Sequence, residues 1–131
     1  MLVKTDVLYG NSEISVNVPD DSTIIEPQNI DAIEDYKTAI KDVLRHPTNS
    51  KPLKEMVKSD DIVSIVISDI TRPTPNHILV PLLIEELNHV PRENFVIING
   101  TGTHRDQTRE ELIHMLGEDI VDTVNNVHHH C

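Results

Sequence analysis

Apolar and polar residues alternate at the start of this chain and then change to other periodicities. Residues 3–8 and 14–18 alternate, and the turn-forming pair Gly10-Asn11 lies between them, which predicts a β-hairpin. Residues 62–67 and 95–98 are instead continuous, mostly β-branched apolar runs. Such runs are typical of strands that are covered on both faces. We therefore expect a hairpin followed by two buried strands.

Helical spacing of apolar residues precedes and separates the two apolar runs. Residues 30–45 and 76–90 each predict an amphipathic helix. Pro52 predicts the first position of a short helix that continues to about Lys58. Pro81 should be tolerated only if it falls in the first turn of the second long helix.

The last third of the chain carries explicit helix-end signals. Thr108 and Glu111 have the spacing of a capping box, and Gly117 is expected to end the helix that they begin. Residues 120–124 are apolar and β-branched enough to predict the start of another strand.

The order strand–helix–strand–helix predicts the fold. A right-handed crossover makes the two buried strands parallel neighbours. The predicted class is α/β, with a Rossmann-like doubly wound, mainly parallel sheet and an N-terminal β-hairpin. Residues 1–131 are expected to form a single α/β domain.

Composition narrows the classes of partner and compartment. The net charge of −11, from 22 acidic and 11 basic residues, argues against nucleic acid and anionic membranes as partners. The one cysteine, Cys131, allows no intrachain disulfide, and no apolar run has the length of a membrane span. These features predict a cytoplasmic protein.

Two polar clusters directly follow the two apolar runs. Residues 68–75 read Ser-Asp-Ile-Thr-Arg-Pro-Thr-Pro, and residues 99–105 read Asn-Gly-Thr-Gly-Thr-His-Arg. Ligands of open parallel sheets bind beyond the carboxyl ends of the strands. If the strands are neighbours, the two clusters face one crevice.

The glycine cluster has two open interpretations. Gly100 and Gly102 let backbone amides approach a phosphate closely, near the positive end of the helix that Thr108 caps. However, Arg105 stands where a dinucleotide fingerprint has its third glycine, and the chain has no P-loop motif. Phosphate binding and a plain strand-to-helix turn both remain possible on spacing alone.

The charged residues of the two clusters also allow alternatives. His104 could transfer a proton near neutral pH, or be an exposed or capping histidine. Arg72 offers a planar fork for a carboxylate or phosphate, or an ion pair with Asp69. Asp69 and Thr71 could cap the following helix or bind ribose hydroxyls. Three consecutive histidines, residues 128–130, cannot all converge on one ion from a strand, so no metal site is predicted.

The paired clusters make the chain resemble a known family. Residues 68–75, followed about one βα unit later by residues 100–105, are similar to the N-terminal domain of the lactate racemase family, nickel-pincer-nucleotide-dependent 2-hydroxyacid racemases and epimerases. Tyr9-Gly10 in the hairpin and Pro47 followed by residues 50–53 add to the resemblance. It covers nearly the whole chain.

The resemblance implies roles for individual residues. His104 matches the first catalytic histidine, which takes the proton of the substrate hydroxyl. Arg72 matches an active-site arginine that holds the substrate carboxylate or the cofactor phosphate. Asp69 and Thr71 match cofactor-side positions. Four residues fit the phosphate of the nucleotide: Gly100, Thr101, Gly102 and Thr103.

The resemblance also implies what these residues need from elsewhere. In the family, the cofactor-bearing lysine, the nickel-ligating histidine, the second catalytic histidine and a C-terminal domain lie further along than residue 131. We therefore expect the N-terminal part of a longer two-domain isomerase acting on a small 2-hydroxyacid. This part alone should be inactive and hold no nickel-pincer nucleotide. The alternatives are a nucleotide- or anion-binding α/β module without racemase activity, and an acidic protein-interaction domain.

Overall fold

The computed structural model describes residues 1–124 together with the backbone of residues 126–130. It contains two compact units, Met1–Ala32 and Ile33–Cys131. Among the described residues, no helix combines the length and the apolar character that crossing a bilayer requires.

The first unit contains the predicted hairpin. Strands β1 (Leu2–Tyr9) and β2 (Ser12–Pro19) pair antiparallel, with Tyr9 opposite Ser12 at the turn. Gly10 adopts a φ of +61°, a left-handed conformation that glycine takes without steric cost. The hairpin prediction is confirmed, and the strands extend slightly beyond the alternating residues.

The second unit alternates helices with a parallel sheet. Its elements are α1 (Tyr36–Arg45), α2 (Leu53–Met56), β3 (Val63–Ser68), α3 (Asn76–Glu86), a 3-10 turn (Arg92–Asn94), β4 (Phe95–Gly100), α4 (Arg109–Leu116), α5 (Glu118–Thr123) and β5 (Asn126–His130). The strand order is β3-β4-β5, and both pairings are parallel. The predicted α/β class with adjacent parallel strands is confirmed.

The core lies on one face of this sheet. Ile67, Phe95 and Ile97 of the strands are buried in one cluster with apolar residues of three helices: Val80, Ile84, Leu112, Met115, Leu116 and Ile120. On the opposite face of β3, Val66 is 71% exposed. The strands were expected to be covered on both faces, but β3 is covered on one face only.

The predicted strand at residues 120–124 is wrong, because most of this segment belongs to α5. Gly117, at a φ of +88°, ends α4 and allows a second helix to begin at once. Ile120 and Val124 are both buried, and their spacing of four residues places both on one side of a helical turn. β-branched residues therefore form a helix here, because burial of their side chains outweighs their local preference for a strand.

Two helix details also differ from the prediction. The first long helix begins at Tyr36 rather than at residue 30, because Asp35 caps it by accepting a 3.1 Å hydrogen bond from the backbone N–H of Thr38. Pro81 lies inside α3, beyond its first turn. It removes the hydrogen bond to the carbonyl of His77, which is an exposed residue and can be solvated there.

Two ion pairs join α1 to α3. Arg45 donates to both carboxylate oxygens of Glu86, with Nη2 to Oε2 at 2.8 Å, and the Glu86 side chain is only 7% exposed. Hydrogen bonding from Arg45 lowers the pKa of Glu86 despite its burial. Lys41 and Glu85 form the second pair, at 2.7 Å, with Glu85 largely exposed.

Replacing Arg45 by Met should destabilise the chain more than replacing Lys41 by Met. The first change leaves a buried carboxylate without its partner, whereas the second removes an exposed pair of small net value. Thermal unfolding at pH 7 measures both variants. The difference in stability between the two variants should become smaller as the pH falls below 4.5. The lowered pKa of Glu86 means that its contact with Arg45 stabilises the folded chain only while Glu86 is ionised. Equal losses at pH 7 would contradict this account.

Candidate active site

The two polar clusters leave the sheet from directly opposed positions. In the parallel pairing of β3 and β4, Ser68 lies opposite Gly100, so both loops begin at the same sheet edge. A Cβ atom on Gly100 would lie 3.3 Å from the carbonyl oxygen of Ile67. The close approach of the two strands therefore favours glycine at this position.

The two loops enclose an open cavity of about 240 Å³. It is lined by Ser68, Asp69, Arg72, Gly100, Thr101, Gly102, Thr103 and His104. Every residue assigned to the site from the sequence is among these, except Thr71. Thr71 instead contacts Asp69. The structure thus brings together Asp69 and His104, which lie 35 positions apart in the sequence.

A buried carboxylate connects the two loops. Asp69 Oδ2 hydrogen-bonds Nδ1 of His104. Its other oxygen, Oδ1, accepts from the Thr71 hydroxyl at 2.7 Å and from the Thr71 backbone N–H at 3.2 Å. The Asp69 side chain is 4% exposed, whereas that of His104 is 49% exposed. The carboxylate is therefore fixed beneath the imidazole, which itself reaches solvent.

These contacts determine the charge of Asp69. The hydrogen bond from the Thr71 side chain, followed by the one to His104, lowers the pKa of Asp69 against the opposing effect of its desolvation. An ionised Asp69 accepts a hydrogen bond from the N–H at His104 Nδ1. In the neutral imidazole, the other ring nitrogen, Nε2, is then unprotonated. The pair has the arrangement of a carboxylate that orients an acid–base histidine.

Arg72 is a free cation at the same cavity. Its guanidinium makes no ion pair or hydrogen bond with any residue the structure describes, so the alternative of an Asp69–Arg72 ion pair is not observed. Only the Arg72 backbone contacts Asp69, with its N–H 3.1 Å from the Asp69 carbonyl. Asp69 and Thr71 also do not cap α3, which follows Pro75 without a side-chain cap.

Two buried side-chain amides support the glycine loop through hydrogen bonds. Asn99, fully buried at the end of β4, donates to Gln107 Oε1, and Gln107 donates to the Arg105 carbonyl at 3.3 Å. Gly102 takes a φ of +60° within the turn that His104 N–H closes on the Thr101 carbonyl at 3.0 Å. Sequence reasoning assigned no role to Asn99 or Gln107. The available signal was a polar residue at an inward position of a buried strand.

The helix after the loop begins as predicted. Thr108 and Glu111 form the complete capping box at the start of α4, and Gly117 follows its end. Arg105 adds two hydrogen bonds of 2.8 Å to the carboxylate of Glu111. Those bonds, together with the Thr108 backbone N–H, lower the pKa of Glu111 to about 2.

Across residues whose side chains the structure describes, no group of three His, Cys, Asp or Glu side chains is placed to hold a metal ion. The backbone of residues 126–130 forms β5, and the side chains of His128, His129 and His130 lie outside the description.

Replacing Arg105 by Gln should raise the pKa of Glu111 from about 2 toward its ordinary value of 4.5. In the unsubstituted chain, the lowered pKa means that the contact stabilises the fold above pH 4.5 and is progressively lost as the pH falls toward 2. Carboxyl NMR titration measures the change. Arg109→Gln is the matched control, since Arg109 pairs with Asp122 instead. A similar shift in both variants would contradict the assignment.

Together, the cavity at the strand ends, the Asp69–His104 contact and Arg72 define an α/β protein with a polar cavity at the edge of its parallel sheet. Residues 9–131 match the lactate racemase N-terminal domain family. The chain therefore belongs to that family.

Two curated relatives are similar to the chain, and both are named lactate racemase. The protein from Lactiplantibacillus plantarum is 40% identical over 87 residues, which are 66% of this chain and 20% of the relative. The protein from Thermoanaerobacterium thermosaccharolyticum is 29% identical over 135 residues, covering 98% of this chain and 31% of the relative. The chain thus spans between a fifth and a third of their lengths.

A solved structure supports the same relationship. The lactate racemase apoprotein from Thermoanaerobacterium thermosaccharolyticum matches 98% of this chain with a TM-score of 0.74 and 27% sequence identity. The match covers 30% of that protein. The hairpin and the parallel sheet therefore belong to an architecture that a lactate racemase also has.

Proposed function

We propose that this chain provides the N-terminal half of the active site of a 2-hydroxyacid racemase or epimerase, within a longer two-domain enzyme. Family membership supports the reaction class. The single observation that carries the proposal is the hydrogen bond between the buried Asp69 and His104, at a cavity that Arg72 also lines, with no described partner for its guanidinium.

His104 is the acid–base residue of this proposal. With Nδ1–H held by Asp69, the lone pair of Nε2 is available to take the proton of a substrate hydroxyl. The ionised Asp69 stabilises the positive charge that the imidazole then carries. The same nitrogen returns the proton when the hydroxyl is restored, so the histidine is unchanged over one turnover.

Arg72 orients the substrate. A 2-hydroxyacid carries a carboxylate next to its hydroxyl, and a guanidinium can bind that carboxylate through two parallel hydrogen bonds. Because Arg72 and His104 line the same cavity, one bound molecule can present its carboxylate to Arg72 and its hydroxyl to His104. Binding by the arginine thus fixes which hydroxyl the histidine reaches.

The glycine loop suits the nucleotide cofactor that the family resemblance implies. Gly102, at positive φ, and Thr103 line the cavity, where their backbone N–H groups would face an anionic group, and Arg72 adds a positive charge. The backbone N–H of Thr101 instead donates to the Asn99 carbonyl at 3.0 Å. When bound, a nickel-pincer nucleotide would supply a pyridinium ring as acceptor and donor of hydride. Asp69 and Thr71 stand next to this space.

The remainder of such an enzyme supplies what this chain does not. The cofactor-bearing lysine, the second histidine and the C-terminal domain are proposed to come from beyond residue 131, so the 131-residue chain alone should not racemise substrate. The exposed face of β3 at Val66 would be covered there, which would complete a doubly wound sheet. A cytoplasmic location, proposed from the single cysteine, accompanies this function.

A chimera tests the role of His104. Residues 1–131 replace the matching part of the Thermoanaerobacterium lactate racemase, and racemisation of lactate is measured with the cofactor loaded. His104→Asn should lower kcat by about 10²–10⁴-fold, because it removes the proton-transfer group. Asp69→Asn should lower kcat more than it raises KM, since Asp69 acts by orienting His104.

His46→Asn is the matched control for the chimera. His46 is an exposed histidine at the end of α1, paired with Asp42 at 2.9 Å, and its loss should leave kcat near that of the unsubstituted chimera. A His104→Asn chimera that keeps its activity would refute the proposed role. Racemisation by the 131-residue chain alone would refute its dependence on the rest of the enzyme.

A further inference from the structure

A second cavity lies on the other side of the Asp69–Arg72 segment. Its volume is about 240 Å³, and it opens between the start of α3 and the side of α4. Five residues whose side chains carry hydrogen-bond donors line it: Arg72, Thr74, Asn76, His77 and His114. None of the last three belongs to the site described above.

Asn76 has an unused polar side chain at this cavity. The residue is 5% exposed, and its amide makes no hydrogen bond with any side chain or backbone that the structure describes. Among the described residues, the Asn76 amide atoms do not belong to the side-chain atoms that are both fully buried and without a partner, so they reach the cavity and can be solvated there. An unused donor that lines a cavity is available to a bound group that accepts from it.

The charges around the cavity favour an anion. The whole chain carries a net charge of −11, yet this cavity combines the Arg72 guanidinium, which has no described partner, with the N–H donors of two imidazoles. Its one carboxylate, Asp69, already accepts from Thr71 through one oxygen and contacts His104 through the other. The eleven-residue helix α3 also directs its positive end here without a side-chain cap.

We propose that this cavity binds a phosphate-type oxyanion. A carboxylate would be satisfied by the fork of Arg72 alone. A phosphate group presents at least three acceptor oxygens in different directions, which suits donors that come from the 69–75 loop, from α3 and from α4. Arg72 lines both cavities, so it would then contact one oxyanion in the glycine-loop cavity and another in this cavity.

The phosphate group of a nucleotide and a free phosphate ion share this chemistry. The oxyanion site rests on the geometry of Arg72, Asn76, His77 and His114 alone. Assigning it to the phosphate of the nucleotide cofactor would move that phosphate from the glycine loop to this cavity, and only this assignment rests on the proposed function. The test is therefore a binding measurement, whose result does not depend on racemase activity.

The ¹⁵N-labelled 131-residue chain is titrated with inorganic phosphate, with nicotinamide mononucleotide and with lactate, at constant ionic strength in chloride. Phosphate should move the side-chain amide signals of Asn76 and the backbone signal of His77 in a saturable manner, with a Kd below about 10 mM. Tighter binding of the mononucleotide than of phosphate would support a nucleotide source. Equal binding would support a site for the oxyanion alone.

Asn76→Asp keeps the shape of the side chain but adds a negative charge, and should weaken phosphate binding by about tenfold or more. Asn88→Asp is the matched control, because it adds the same charge beyond the opposite end of α3 and outside the cavity. His114→Gln provides an independent test if the Asn76 variant does not fold, and should also weaken binding.

Three results would overturn the proposal. The first is the absence of saturable shifts at Asn76 and His77. The second is a phosphate response confined to residues 100–104, or a response at Asn76 to lactate but not to phosphate. The third is an equal loss of affinity in Asn76→Asp and Asn88→Asp, which would indicate general charge repulsion rather than a site.

Discussion

The parallel pairing of β3 with β4 is the constraint on which the site depends. Because Ser68 lies opposite Gly100, the two loops begin at adjacent points of one sheet edge. A shift of one residue in this register would turn the inward side chains of a strand to the other face. It would also separate Asp69 from His104. The buried residues Ile67, Phe95 and Ile97 hold the register by packing on the helices below the sheet.

Burial of Asp69 holds together the two loops that this register brings side by side. A carboxylate removed from water is unfavourable unless hydrogen bonds replace its solvation, and Thr71 and His104 provide them. The same contacts hold the loop that contains Arg72 against the loop that contains His104. Arg72 keeps its guanidinium free of described partners, and is therefore available to a ligand. Stability and the proposed function thus share one small polar network.

The sequence predicts the elements whose signals are local. The hairpin turn at Gly10, the capping box from Thr108 to Glu111 and the two parallel strands were all predicted correctly. The helix α5 was missed altogether, because its β-branched residues resemble a strand and only the tertiary packing of Ile120 reveals the helix. Pro81 was misjudged for a similar reason, since packing of Val80 and Ile84 outweighs the loss of one backbone hydrogen bond.

The site shows the same division between local and long-range information. Composition and position in the chain identified His104, Arg72 and the glycine loop as candidates. The hydrogen bond between Asp69 and His104 joins residues 35 positions apart, so no periodicity could predict it. The hydrogen bond between Asn99 and Gln107 was not predicted, because its role depends on the burial of both side chains. The sequence around a single polar residue does not show whether that residue is buried.

The tautomer of His104 tests the central claim most directly. Long-range ¹H–¹⁵N NMR of the 131-residue chain in alkaline buffer reports which ring nitrogen of His104 carries the proton. The account predicts that Nδ1 is protonated and Nε2 is not, and that Asp69→Asn reduces this preference. A proton on Nε2 in the unsubstituted chain, or a tautomer ratio that Asp69→Asn leaves unchanged, would contradict the account.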